Sequence, residues 1–171
     1  MSAFATLKPS SLSRAEFVRA FAGIYEHSPW VAETLFDQGI GPADDDIGHL
    51  HARMAAILLA ADRERQLALI DAHPDLAGKA AVRGELTAAS TAEQAGAGIQ
   101  DCTPEEFARF ERLNAAYKAR FGFVFIMAVK GSDRQRILAA FEERLNHTPE
   151  QEFARALAEI NRIALFRLQA M

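Results

Sequence analysis

The chain has 171 residues, half of them hydrophobic and a quarter charged, which is ordinary globular composition with enough length for a substantial core. A formal net charge of −4 excludes the basic face that non-specific nucleic-acid binding requires. Cys102 is the single cysteine, so the chain forms no internal disulfide and has no CxxC motif for zinc or redox chemistry.

MSAFATLKPSSLSRAEF lacks the basic start, apolar run and cleavage site of a secretory leader. AAILLA is too short to cross a bilayer, and the terminal RLQAM is no peroxisomal address. The expected location is the cytoplasm, with neither membrane nor nucleic acid as partner.

Almost every segment repeats at helical period. SLSRAEFVRAFAGIYEHS sets Leu12, Phe17, Phe21 and Ile24 on one stripe, and Ser13 with Glu16 forms a capping box. PWVAETLFDQG opens on proline and stops at Gly39. DIGHLHARMAAILLAADRERQLALIDAHP reads either as one long helix or as two joined near Asp62. Ser90 and Glu93 make a second box in STAEQAGAG, predicting a short helix that starts at Ser90. Thr103-Pro104-Glu105-Glu106 opens a helix that Gly122 closes, another starts at Ser132, and Thr148-Pro149-Glu150-Gln151 opens the last. FVFIMAVKG, residues 123–131, differs: it is a continuous apolar run that looks extended and has no strand partner. Its backbone groups must find water, side chains or a ligand. The expected fold is an all-α single domain over 1–171, a bundle of about seven to nine helices.

Three places could carry chemistry. His73 stands where LIDAHPDLAGK turns out of a helix, because Pro74 disfavours helical geometry before it. It either caps the last carbonyls or is held out for proton transfer. In STAEQAGAG the small residues after Gln94 allow close approach of a backbone or ligand, and a helix start suits an anion. In the last helix Phe153, Leu157, Ile160, Ala164 and Leu168 form a core stripe flanked by Arg167. That arginine serves the helix dipole and solvent, or grips a carboxylate or carbonyl with its fork. His49 and His51 are two apart and diverge on a helix, and no HExxH, P-loop, GxGxxG or GxSxG occurs, so no metal site is expected. Lys79, Arg83 and Lys130 read as solvated surface charges. Cys102, just before a helix start, reads as incidental.

Taken together, HPDLAGK, STAEQAGAG, FGFVFIMAVKG and IALFRL resemble the 2-oxo-4-hydroxy-4-carboxy-5-ureidoimidazoline (OHCU) decarboxylase family, in order and over nearly the whole chain. The resemblance implies an all-helical homodimer, working without metal or organic cofactor, that decarboxylates OHCU to (S)-allantoin in urate breakdown. It makes His73, Glu93 and Arg167 catalytic. Pro74, Ser90, Thr91, Ala92, Glu93 and Gln94 bind substrate beside the segment Phe125, Ile126, Met127, Ala128 and Val129, whose backbone lines the ligand. Glu93 holds the ureido end, Gln94 the ring amides, and Arg167 a ring or ureido oxygen. Val124 departs from the family's usual proline and restores an N–H there. The rival readings are an inactive binding domain of the same fold and a ureide hydrolase, which would need a metal cluster this chain cannot readily assemble.

Overall fold

Side-chain caps open most of the helices. The computed structural model describes residues 2–78, 81 and 83–171, and among the described residues there are eight α-helices. They are α1 (Arg14–Phe21), α2 (Trp30–Asp37), α3 (Ile47–Ala60), α4 (Arg63–Asp71), α5 (Ala88–Gly96), α6 (Pro104–Phe121), α7 (Arg134–Arg144) and α8 (Pro149–Gln169). Short 3-10 turns lie at Pro9–Ser11, Pro42–Asp45 and Ile99–Asp101. The described residues hold no strand, only an isolated antiparallel bridge between Ala3 and Asp46. The class is all-α, as the periodicity implied.

The capping box expected at Ser13–Glu16 forms with both reciprocal hydrogen bonds, and the last helix, expected to open at Thr148, does so with a reciprocal pair between Thr148 and Gln151. At α6 only half forms. Thr103 accepts the Glu106 N–H, but the Glu106 carboxylate turns to the Arg134 guanidinium at 2.7 Å, a stronger partner than a backbone amide. Two expected starts move. Thr87, not Ser90, caps α5 by accepting the Ser90 N–H, which puts Ser90 inside the first turn. Asp133, not Ser132, caps α7. The long stretch before His73 is two helices, because Asp62 caps α4 by accepting the Arg65 N–H while Ala61 is extended. Helix α1 ends at Phe21, earlier than its stripe suggested, and Ile24 is buried from the turn beyond. Gly122 closes α6 as expected, at φ +80.

The chain gathers into two compact units. One runs to Ala72 and adds Ile160–Met171 from the end of α8; its core includes Phe17, Phe21, Leu35, Leu50, Met54, Leu58, Ala164 and Leu168. There the Tyr25 hydroxyl donates to Asn161 Oδ1 at 2.7 Å, and burial pushes the phenol above its usual pKa. The Arg65 guanidinium lies 5.2 Å from the ring centre of Trp30. The other unit, His73–Glu159, is built on aromatic rings: Phe125 stacks on Phe141 at 3.7 Å, and Tyr117 meets Phe121, Phe123, Phe125 and Phe141.

Asp46 ties the N-terminal strand-like residues to α3, accepting the N–H groups of His49 at 2.9 Å and Ser2 at 2.8 Å. These bonds hold its carboxyl below the usual carboxylate range. A group lowered on folding adds stability above its unfolded pKa, near 4, and loses it as pH falls through the folded value. Asp46→Ala is expected to lower stability at neutral pH by removing the cap of α3. The gap between wild type and Asp46→Asn is expected to shrink on acidification, both measured by urea unfolding across pH.

Candidate active site

The HPDLAG turn is tightly made. Helix α4 ends at Asp71 with Ala72 in the cap position, and His73 follows it; the histidine opens the second unit and is 8% exposed. Pro74 beside it is half-buried. Ala77 is left-handed at φ +52, and a Cβ on Gly78 would stand 2.6 Å from Asp75 Cβ, so only glycine fits there. Lys79, which closes the motif, lies outside the described residues; Arg83 and Lys130 are exposed.

Gln94 of α5 pins this turn. Its Oε1 accepts the Ala77 N–H at 3.1 Å and its Nε2 donates to the Asp75 carbonyl at 3.4 Å. From α6, Asn114 donates to the Leu76 carbonyl at 2.9 Å and Lys118 reaches Asp75 Oδ2 at 2.7 Å. The structure therefore brings the histidine motif and the SxxEQ helix together. In it the Gln94 amide bonds the loop backbone. Helical spacing separates the rest of that motif: Ser90 and Gln94 are buried and Glu93 half-buried, while Thr91 and Ala92 are exposed, with the Thr91 hydroxyl donating to the Thr87 carbonyl. A surface cleft of about 820 Å³, lined by Asp75, Ala77, Phe107, Glu111, Asn114 and Lys118 among others, includes none of the expected site residues.

The apolar run is neither helix nor strand. Phe125, Ile126, Ala128 and Val129 are buried, with Met127 and Val124 half-buried. Side chains meet part of its hydrogen-bonding need. The Ile126 carbonyl accepts from Arg144 Nη1 at 2.6 Å, and the Ala128 N–H donates to Glu159 Oε2 at 2.8 Å. The Val129 carbonyl accepts the Ser132 N–H. Among the described residues, the remaining amides and carbonyls of 125–129 make no hydrogen bond, Met127 having neither group paired.

Arg144, Glu152 and Glu159 were not singled out by the sequence reading. Arg144 and Glu152 have side chains 3% and 0% exposed and pair at 2.8 Å. Glu152 also accepts the Tyr117 hydroxyl at 2.6 Å and sits 2.9 Å from His147 Nδ1. Burial, then Glu152, pushes the Tyr117 phenol above its usual pKa, so it serves as a donor. The legible signal was the seven-residue spacing of Glu152 and Glu159, which places both acids on the apolar face of α8.

Arg167 belongs to the other unit, where its Nη2 lies 2.8 Å from Glu26 Oε2 and its Nη1 donates to the Gly23 and Ile24 carbonyls. With side chains 8% and 2% exposed, this is a buried ion pair and not a solvated residue at a helix end. His49 lies 3.6 Å from Asp44, while His51 meets the Asn161 carbonyl at 2.7 Å. The described residues contain no group of three His, Cys, Asp or Glu side chains able to hold a metal ion. Burial, aided by Glu106, raises the Cys102 thiol pKa, which suits an unreactive cysteine.

The described residues define an all-helical domain in which the histidine turn is held by the SxxEQ helix. The family model described as OHCU decarboxylase matches residues 10–169, and the chain belongs to that family. It is 44% identical over 152 residues to the 2-oxo-4-hydroxy-4-carboxy-5-ureidoimidazoline decarboxylase of Haloferax volcanii, covering 89% of this chain and 86% of that one. To the Mus musculus protein of the same name it is 35% identical over 162 residues, with 95% and 89% covered. The crystal structure of an (S)-allantoin synthase superposes with a TM-score of 0.75 at 36% identity, over 95% of this chain and 52% of that longer one.

Adjacent residues in the turn should respond with opposite sign. Gly78→Ala is expected to destabilise through the Asp75 overlap. Ala77→Gly relieves a left-handed alanine, a strain of roughly 1–2 kcal/mol offset by about 0.5–1 kcal/mol of backbone entropy, and is expected to be neutral or slightly stabilising. Urea unfolding of both variants checks the pair.

Proposed function

We propose that this chain decarboxylates OHCU to (S)-allantoin, a step of urate breakdown, using its own side chains and no metal or organic cofactor. The observation that carries this reading is the run 125–129. The run is mostly buried, with Met127 half-buried, and among the described residues several of its amides and carbonyls are unpaired, which suits a ligand composed largely of amide and ureide groups.

The substrate bears hydroxyl and carboxylate on one ring carbon, next to an imine carbon that carries the ureido group. Breaking the bond to CO₂ sends its electron pair toward that imine and leaves an enol-like intermediate. The former imine nitrogen and the ureido-bearing carbon each take a proton while the hydroxyl gives one up to become a carbonyl, a net uptake of one proton. The ring is its own electron sink. The protein has to orient it, stabilise oxygen charge and choose the protonated face.

His73, buried at the start of its unit, handles the proton at the hydroxyl and carboxylate end. Glu93 holds the ureido group, with Pro74 and Ser90 shaping the pocket and Phe125–Val129 contributing backbone. Gln94 acts by fixing the turn that follows His73 and Pro74, as its two bonds to that turn support. Arg167 keeps the role the resemblance gives it, stabilising charge on a ring or ureido oxygen. A cytoplasmic homodimer belongs to the same proposal. Among the described residues no helix is long and apolar enough to cross a membrane.

The test generates OHCU in situ from urate and follows CO₂ release and optical rotation. OHCU decays alone to racemic allantoin, so enrichment in one enantiomer is the signal, and racemic product with added protein would end the reading. His73→Asn is expected to lower kcat by about 10²–10⁴-fold with substrate still bound. Glu93→Ala and Arg167→Ala are expected to lose most of kcat/KM while staying folded by circular dichroism. Chelators are expected to leave turnover unchanged.

A further inference from the structure

We infer that Arg144 and Glu159 are positioning residues that orient the two peptide planes around Met127, so that its N–H and C=O stand out as a donor–acceptor pair for one amide edge of the ligand. The inference rests on the reading of 125–129 as ligand-lining backbone, and deepens it by naming what sets that backbone's direction.

The geometry follows from peptide planarity. Every peptide bond described is trans, and in a trans peptide the C=O and N–H point in opposite directions. The Ile126 carbonyl is directed at Arg144 Nη1, so the Met127 N–H on the same plane is directed away from Arg144. The Ala128 N–H is directed at Glu159 Oε2, so the Met127 C=O on that plane is directed away from Glu159. Two charged side chains thereby leave one residue with both backbone groups unpaired among the described residues. A donor and an acceptor on one residue complement the –CO–NH– edge of a cyclic ureide.

Both anchors are themselves held fast. The Arg144 guanidinium is fixed by Glu152 and lies 4.2 Å from the ring centre of Phe125, one residue before the carbonyl it grips. Glu152 takes Tyr117 and His147 as further partners. Glu159 is held on its other oxygen by Arg155 at 2.8 Å. Stability alone is a poor reason for such an arrangement, since a buried ion pair often contributes no more than apolar residues of the same volume. An arginine serves for a different reason: its planar fork holds a carboxylate and a carbonyl in fixed directions, whereas a lysine ammonium rotates freely and fixes neither.

The experiment titrates (S)-allantoin into the ¹⁵N-labelled full chain and measures steady-state kinetics of wild type, Glu159→Gln and Arg144→Lys. In wild type the Met127 amide resonance is expected to shift saturably with ligand. In the variants the allantoin Kd and the substrate KM are expected to rise about tenfold, the size of one neutral hydrogen bond, while kcat changes by less than about threefold. Unchanged KM and Kd, or kcat and thermal midpoint falling while KM holds, would reduce both residues to structural support and overturn the inference. A wild type that turns over OHCU without moving the Met127 amide would also overturn it, while leaving the proposed activity standing. Loss of turnover in wild type would instead remove the reading underneath. Should a variant fail to fold, hydantoin and its two mono-N-methyl derivatives probe wild type directly. At least one N-methyl group is expected to weaken binding about tenfold, and equal affinity of all three would count against the inference.

Discussion

A peptide group withdrawn from water must be answered by a partner, and residues 123–129 have neither helix nor sheet to supply one. Much of what is unusual in this unit follows from that constraint. Glutamates that are 0% and 4% exposed are expensive to bury, yet they stand beside an apolar run because its backbone, and the arginine that grips it, need them. Glu152 gathers a phenol, a guanidinium and an imidazole; Glu159 gathers a peptide N–H and a guanidinium. Among the described residues the network answers only some of the backbone groups of 125–129.

Local chemistry was readable from the sequence, and distant chemistry was not. The Ser13 box and the helix start at Thr148 formed as expected because each involves residues three apart whose geometry any helix start provides. The start of α5 was misread for an equally local reason. Thr87 has Ser90, not Glu or Gln, three positions on, so the true cap lacks the box signature, while Ser90 and Glu93 imitate one. Arg167 illustrates the other limit. Its place near a helix end suggested solvent, dipole or ligand, and nothing near it in the chain points to Glu26 as its partner.

The motif residues also divide differently in space than they do on paper. HPDLAG and SxxEQ look like two independent sets of catalytic groups, but Gln94 joins them by holding a left-handed alanine and its neighbouring carbonyl. Strain of this kind persists where surroundings over-determine it, and here glutamine, asparagine and lysine do so from two helices. A residue in a recognisable motif can therefore shape the backbone that carries its neighbours.

Trp30 is the only tryptophan in the chain, and it lies beneath Arg65 in the unit that contains the N-terminal helices. The other unit offers one tyrosine, Tyr117, buried and bonded to a carboxylate. Light absorbed at the red edge of the indole band is thus emitted from one half of the molecule. A melting curve followed by that emission is a witness to the half without His73 and Glu93, and the loosening of the half that holds them goes unseen at that wavelength.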